Sequence, residues 1–396
     1  MLRKKLARFQ PEAVRGLREV VYWNSKFLWR NLRAAARWLG QKPRVYLHAQ
    51  WQLDTNPIWQ TYRITPPLRY APYPIAELCH WISGSYPLPL PRHKRHIVEA
   101  EHMLVIAEQF RRGHGGPARP MADWFIVHEE RENIRRLVDQ PNWRKIITFS
   151  AGLVEHFKLH LAEELWPKLD FVHPAFPAQR QSADRPERPF TVLVIASRFS
   201  DKGVPEVFRA MDVLRERHGR NVQLLLVSQA IPKGQPLPAG TIHHDVPIMS
   251  PELKREVYES SDVLLLPNFA ETVACFPEAY AFGLPVITTR IHHGAEFVCE
   301  GETGFLLETP IFAFNEKLGR EWRTAEDFVE ELAARRGRGE LENIVEEAVE
   351  YLSRMIDGRM DLQRMRDAAR KFHREHFDPE VRNGRLRDLY TSAIRN

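Results

Sequence analysis

Glu278 follows an apolar stretch and a short loop, at the point where a helix begins. A helix start offers unpaired backbone N–H groups and a partial positive charge, which suit a diphosphate. A carboxylate in that first turn can accept two ribose hydroxyls. It can equally be a first-turn glutamate favoured by the helix dipole, and taken alone that bland reading stands beside the functional one. The surrounding stretch, Ser261 to Leu307, runs as strand, PNFAE, loop, PEAYAFG, strand PVITT and then GAEFVCEGETGFLL. Other chemistries lack their signatures. No Gly-x-Gly-x-x-Gly follows a strand, and there is no phosphate-loop Gly-x-x-x-x-Gly-Lys or nucleophile-elbow Gly-x-Ser-x-Gly. Cys79, Cys275 and Cys299 are too widely spaced for a zinc or disulfide framework. His243, His244, His292 and His293 lack a metalloprotease spacing and read as surface or core residues. No Asp-x-Asp occurs, which disfavours a metal-dependent sugar transferase.

The elements that must position these residues alternate between strand and helix, the pattern of a parallel α/β sheet. FTVLVIAS (190–197), VQLLLVS (222–228), DVLLLP (262–267) and PVITT (285–289) read as buried strands. Val204, Val207, Phe208, Met211 and Leu214 form a helical stripe, and Ser250-Pro251 is a helix start with a capping hydroxyl. Residues 324–396 read as mostly helical. The first half gives strands at 42–48, 96–101, 146–150 and 169–176, with helices over 102–110, 121–139 and onward from Leu153. A proline-rich stretch at 66–91 reads as extended loop, and 111–120 as a flexible basic loop. The polar segment 177–189 is the linker.

The ordered motifs of the second half resemble the donor-binding domain of the GT4 family of retaining glycosyltransferases. The matching residues are Pro267, Asn268, Glu271, Glu278, Ala279, Ala281, Gly283, Pro285 and Val286, then Glu296 and GETG at 301–304. ASRFSDKGVPE supplies Arg198, Lys202 and Gly203 at the opening of the domain's first helix. The resemblance implies an α/β, GT-B fold: two Rossmann-like domains facing each other across a cleft. Its parts would be a basic helical extension (1–42), an acceptor-side domain (43–178), the linker (177–189), a donor-binding domain (190–375) and a closing helix (376–396) returning to the first domain. It implies Arg198 and Lys202 as the cations on the leaving diphosphate, Glu271 on the sugar hydroxyls, Glu278 on the ribose, and His102 facing the donor sugar. Ala274, Cys275 and Phe276 would flank the donor. Some features depart from the family. Glu271 and Glu278 lie seven positions apart, one closer than the family's usual pair. HAQWQLDTN replaces the usual glycine-rich loop after the first strand.

The expected activity is metal-independent, retaining transfer of a sugar from a nucleotide-diphosphate-sugar to an acceptor hydroxyl, with no cofactor beyond the donor. The acceptor would be a lipid-linked or cell-surface glycan. The alternative is a non-catalytic nucleotide-sugar-binding protein that has kept the fold. Net charge is +6 over 396 residues, which does not demand nucleic acid. No apolar run approaches the roughly 18 residues of a membrane span, and the first residues lack the apolar centre of a secretory signal, so a cytoplasmic location is expected. Residues 1–44 hold twelve Lys or Arg against two Glu, with Val20, Trp23, Phe27 and Leu28 at helical spacing. Such a helix either lies on an anionic membrane surface or packs its aromatic side on the neighbouring domain.

The membrane reading makes a testable statement. The full chain should co-sediment with anionic vesicles, less so with neutral ones, and less as salt rises. Deleting residues 1–40 should abolish this. Absence of lipid-dependent sedimentation at low salt, with a lowered melting temperature on deletion, would assign the helix to packing instead.

Overall fold

The computed structural model describes residues 45–47, 78–82, 95–100, 106, 128–179, 188–246, 249–270, 272–291, 293–313 and 325–395. The expected basic helical extension, residues 1–42, lies outside them. Five strands form the first sheet: β1 (Val45–Leu47), β2 (Leu78–Ile82), β3 (Arg95–Glu99), β4 (Trp143–Thr148) and β5 (Leu169–Phe171). All pair in parallel and stand in chain order, with no reversal among the described strands. Helix α1 (His128–Asp139) precedes β4, and α2 (Ala151–His160) follows it. The Ser150 hydroxyl caps α2 by accepting from the Leu153 N–H at 3.2 Å.

Two expectations for this half need correction. The stretch 66–91 is not all loop, because β2 occupies its centre. LCHWI contains no proline, and the neighbouring Pro74 and Pro87 stand outside it. The strand expected over 169–176 ends at Phe171, shortly before Pro174, which has no N–H to give to a ladder.

The second sheet has six parallel strands in the order β11-β10-β9-β6-β7-β8. In chain order these are β6 (Phe190–Ile195), β7 (Val222–Val227), β8 (Thr241–His244), β9 (Val263–Leu266), β10 (Val286–Thr289) and β11 (Gly304–Leu307). The helices between them are α3 (Val204–His218), α4 (Pro251–Glu259), α5 (Cys275–Ala281) and the single turn α6 (Gly294–Phe297). Helices α7 (Ala325–Gly337), α8 (Glu342–Ile356), α9 (Leu362–Phe372) and α10 (Pro379–Arg395) follow.

Strand alternation divides the core into two faces. Val192, Val194, Leu224, Leu226, Val263 and Leu265 point to one, against α3 and α8. Leu193, Leu225, Leu264 and Leu266 point to the other, against α4 and α5. With both faces covered, the strands must be apolar throughout, which is why they read as continuous hydrophobic runs.

Helix α10 does not pack on the second sheet. Its Leu386, Leu389, Tyr390 and Ala393 cover Leu78, Ile97, Ile147 and Val172 of the first. Arg382 enters that interface fully buried. Its Nη2 donates to both Glu99 oxygens at 2.9 Å, and its Nη1 donates to the carbonyls of Val172 and His173 at 3.2 and 2.9 Å. Burial, followed by the Glu99 charge, pushes the Tyr390 phenol above its usual range.

Removing one partner of such a pair strands a buried charge. Arg382→Leu should therefore cost about 3–5 kcal/mol of stability, read by urea unfolding. Adding Glu99→Leu should recover most of that loss. Equal stability of Arg382→Leu and the wild type would show that the pair does not hold α10.

Candidate active site

The second sheet begins at β6 and grows outward to β7 and β8. The chain then returns to the other side of β6 and adds β9, β10 and β11. Strands β6 and β9 are thus neighbours whose following helices cover opposite faces: α3 packs with one core and α5 with the other. At such a reversal the loops after the two strands are expected to part and open a crevice at the carboxyl ends of the strands. Ligands bind at this position in open α/β sheets. Residues 196–203 form one wall, and residues 267–270 with 272–274 form the other.

Glycine is obligatory where the walls meet. Gly203 caps α3 with φ 67°. A Cβ there would stand 2.1 Å from the Pro267 carbonyl oxygen. The walls are then stitched together. The Phe269 N–H donates to the Asp201 carbonyl at 2.8 Å. The Lys202 ammonium, 6% exposed, donates to the Thr272 hydroxyl at 2.7 Å and to the Ala270 carbonyl at 3.2 Å. Arg198 stands at the rim. Its Nε meets the buried Asp201 carboxylate at 2.5 Å while 54% of its side chain remains exposed. A guanidinium has five N–H donors, so this contact leaves others for a ligand.

Glu278 lies in the first turn of α5 and is buried. Its Oε1 accepts from the Lys254 ammonium at 2.5 Å and its Oε2 from the Tyr258 hydroxyl at 2.9 Å. Both partners come from one side of α4, four residues apart. Burial, then the Glu278 charge, holds the Tyr258 phenol well above its usual range. The neighbouring Cys275 thiol is pushed up to about 12, by burial first and Glu278 second. It is a protonated thiol at neutral pH.

Ala274 and Phe276 are buried, and Phe276 meets the rings of His293 and Phe297 edge-on at 5.7 and 5.4 Å. Phe276 also lines a small recess with Asn268, Ala270, Thr272, Thr288 and His293. The Asn268 Oδ1 in that recess is buried without a hydrogen-bond partner among the described residues. The ring of His293 bonds the Thr272 carbonyl through Nε2, so the histidine is a packed group of the loop. His102 and Glu271 lie outside the described residues.

The structure therefore brings Arg198, Lys202 and the start of α3 to one wall, with Thr272 opposite. It places Glu278 in a buried polar cluster with Lys254, Tyr258 and Cys275. Lys254 and Tyr258 escaped the sequence reading. Their four-residue spacing marks one side of a helix, but nothing in the sequence joins that side to Glu278. Glu296 also has a role that the sequence did not disclose. Its Oε1 meets His173 Nε2 at 2.7 Å, and its Oε2 accepts from the Gly152 N–H at 3.3 Å, so it ties the second sheet's loops to the start of α2.

The Gly203 contact yields a direct test. Gly203→Ala must move Pro267 or break the start of α3, because both the space and the positive φ exclude a side chain. It should lower the melting temperature and abolish nucleotide binding. Gly301→Ala, also at positive φ but with open space around it, should cost stability alone. Wild-type binding by Gly203→Ala would remove the crevice geometry from the account.

Residues 190–320 match the family described as glycosyl transferases, group 1. A search of curated proteins found no match. Among solved structures, the chain is similar to a glycosyltransferase from Rickettsia africae ESF-5. That likeness has 11% identity and a TM-score of 0.53, and it covers 96% of this chain and 98% of the other. It is also similar to sucrose-phosphate synthase from Thermosynechococcus elongatus, with 14% identity and a TM-score of 0.50, covering 80% of this chain and 73% of that one. Identities this low speak for the fold alone. The chain has the GT-B fold of the glycosyltransferases it resembles, and over residues 190–320 it carries the group 1 glycosyl transferase pattern.

Proposed function

We propose that the protein is a metal-independent, retaining glycosyltransferase of GT4 type that uses a nucleotide-diphosphate-sugar donor. The observation that carries this reading is the crevice at the reversal of the second sheet. There Arg198, Lys202 and the N-terminal turn of α3 gather positive charge within the segment that matches the family. A departing nucleoside diphosphate builds negative charge, which fixed cations and oriented N–H groups stabilise without reorganising. Same-face attack by the acceptor hydroxyl, assisted by the departing phosphate, retains configuration.

Glu278 takes the ribose in this reading. Lys254 and Tyr258 occupy one acceptor site on each of its oxygens, and a carboxylate has about four. Two remain for the ribose hydroxyls. Glu271 and His102 are assigned to the donor sugar. The acceptor is proposed to be a lipid-linked or cell-surface glycan, reached from the cytoplasmic side with the basic N-terminus on the membrane. Among the described residues no helix is long and apolar enough to cross a membrane.

A second reading has its own support. Glu271 and Glu278 are closer in sequence than the family's pair, and Glu278 is already engaged by two side chains. A protein that binds nucleotide-sugar without transferring it would tolerate both features. A thermal-shift screen of nucleotide-sugars, followed by assay of donor hydrolysis and transfer, separates the two.

For the catalytic reading, Lys202→Ala should lower turnover on the order of 100-fold, about 3 kcal/mol of transition-state stabilisation. Arg198→Lys should rescue Arg198→Ala only in part, since the guanidinium fork is lost. Turnover should persist in excess EDTA. Near-wild-type turnover of a folded Lys202→Ala protein, or loss in EDTA restored by Mn²⁺, would overturn the cation clamp.

A further inference from the structure

Arg336 stands at the end of α7, far in sequence from both walls of the crevice, yet it braces both. Its Nε donates to Glu206 Oε1 at 2.6 Å and its Nη2 to Glu206 Oε2 at 3.2 Å. Its Nη1 donates to the Ser200 hydroxyl at 2.6 Å, and its Nη2 to the Ser200 carbonyl at 2.6 Å. Ser200 lies between Arg198 and Lys202, and its carbonyl also accepts from the Gly203 N–H at 3.2 Å. The guanidinium lies 5.8 Å over the ring of Phe269, in the opposite wall. Phe269 is fully buried, and its N–H holds the Asp201 carbonyl.

The charge arrangement adds a second reason to look here. Glu206 is in the first turn of α3 and only 2% exposed. A carboxylate buried there lies beside the N-terminus where the crevice gathers its positive field. Left unpaired, it would cancel part of that field and repel an anionic ligand. Arg336, itself mostly buried, neutralises it with a two-point contact that a lysine cannot reproduce.

We propose that Arg336 is the positioning residue of the diphosphate site: it fixes the 198–203 loop through Ser200 and silences Glu206, so that this carboxylate does not offset the positive field of Arg198, Lys202 and the start of α3. This rests on the proposed use of a nucleoside diphosphate donor. Arg336 acts through the loop and not on the ligand, and its effect therefore falls on donor affinity.

The test uses the full chain, with inorganic diphosphate and UDP as probes in titration calorimetry. Arg336→Gln should weaken both on the order of tenfold, the scale of one unscreened charge at the site. Arg336→Lys should recover only part. Adding Glu206→Gln to Arg336→Gln should recover much of the affinity, because the stranded carboxylate is gone; a brace with no electrostatic part would show no such recovery. Arg335→Gln, on the same helix but paired with Glu331 and Glu340, should bind like wild type. In turnover, the donor KM should rise while the acceptor KM stays constant. If Arg336→Gln does not fold, Arg336→Lys and the double variant, which leave no unpaired buried carboxylate, carry the comparison. Wild-type protein that binds the probes while the Arg336 variants bind equally well overturns this inference and spares the function. So does failure of Glu206→Gln to restore binding. Wild-type protein that binds neither probe overturns both.

Discussion

The reversal of strand order between β6 and β9 is the constraint on which the site depends. In a parallel sheet each helix must cover a face, and at a reversal the helices after two neighbouring strands must cover opposite ones. Here α3 and α5 part in this way. Such a parting of helices opens a place for a ligand at the carboxyl ends of the strands. The approach of the two loops at Gly203 against Pro267 leaves no room for a Cβ. Backbone geometry, before any side chain is considered, puts a helix N-terminus at the mouth of a cleft.

Around that crevice, charges are buried only in company. Lys202 spans the two walls, Lys254 and Tyr258 hold Glu278, and Arg336 holds Glu206. Each ion has given up water and recovers it only through well-aligned partners. Such pairs contribute little net stability, but they specify geometry strongly, because any displacement leaves a buried charge unpaired. That suits a site whose task is to hold fixed dipoles and cations against a charge that develops during reaction.

The two sheets are joined by contacts of the same kind. Arg382 on Glu99 seats α10 against the first sheet. The His373 ring bonds the Phe176 carbonyl at 2.7 Å, and the Phe176 N–H donates to the Phe377 carbonyl at 3.0 Å. Glu296 adds the bridge to His173 and Gly152. Burial lowers the basicity of the His373 ring and the neighbouring His376 ring, so both favour the neutral form. The chain thus returns to its first sheet through polar contacts near the linker, with an apolar helix face beyond them.

The sequence by itself determined four of the six described strands of the second half, because strands covered on both faces must be uninterrupted apolar runs, and FTVLVI, VQLLLV, VLLL and VITT are such runs; the edge strands β8 and β11 it did not mark. It determined the helix start at Ser250 through its side-chain cap, since capping is local chemistry. It also marked Arg198, Lys202 and Glu278, because their motifs stand in order along the chain. It did not reveal β2, whose five residues lie among prolines and gain their strand character only from β1 and β3 alongside. Nor could it show that Glu278 faces Lys254 and Tyr258, that Glu296 reaches Gly152, or that Arg336 spans both walls of the crevice. Those pairs are separated by 20 to 144 residues. Local periodicity carries no information about such distances, and only the packing of one helix face against another element brings the partners within hydrogen-bond reach.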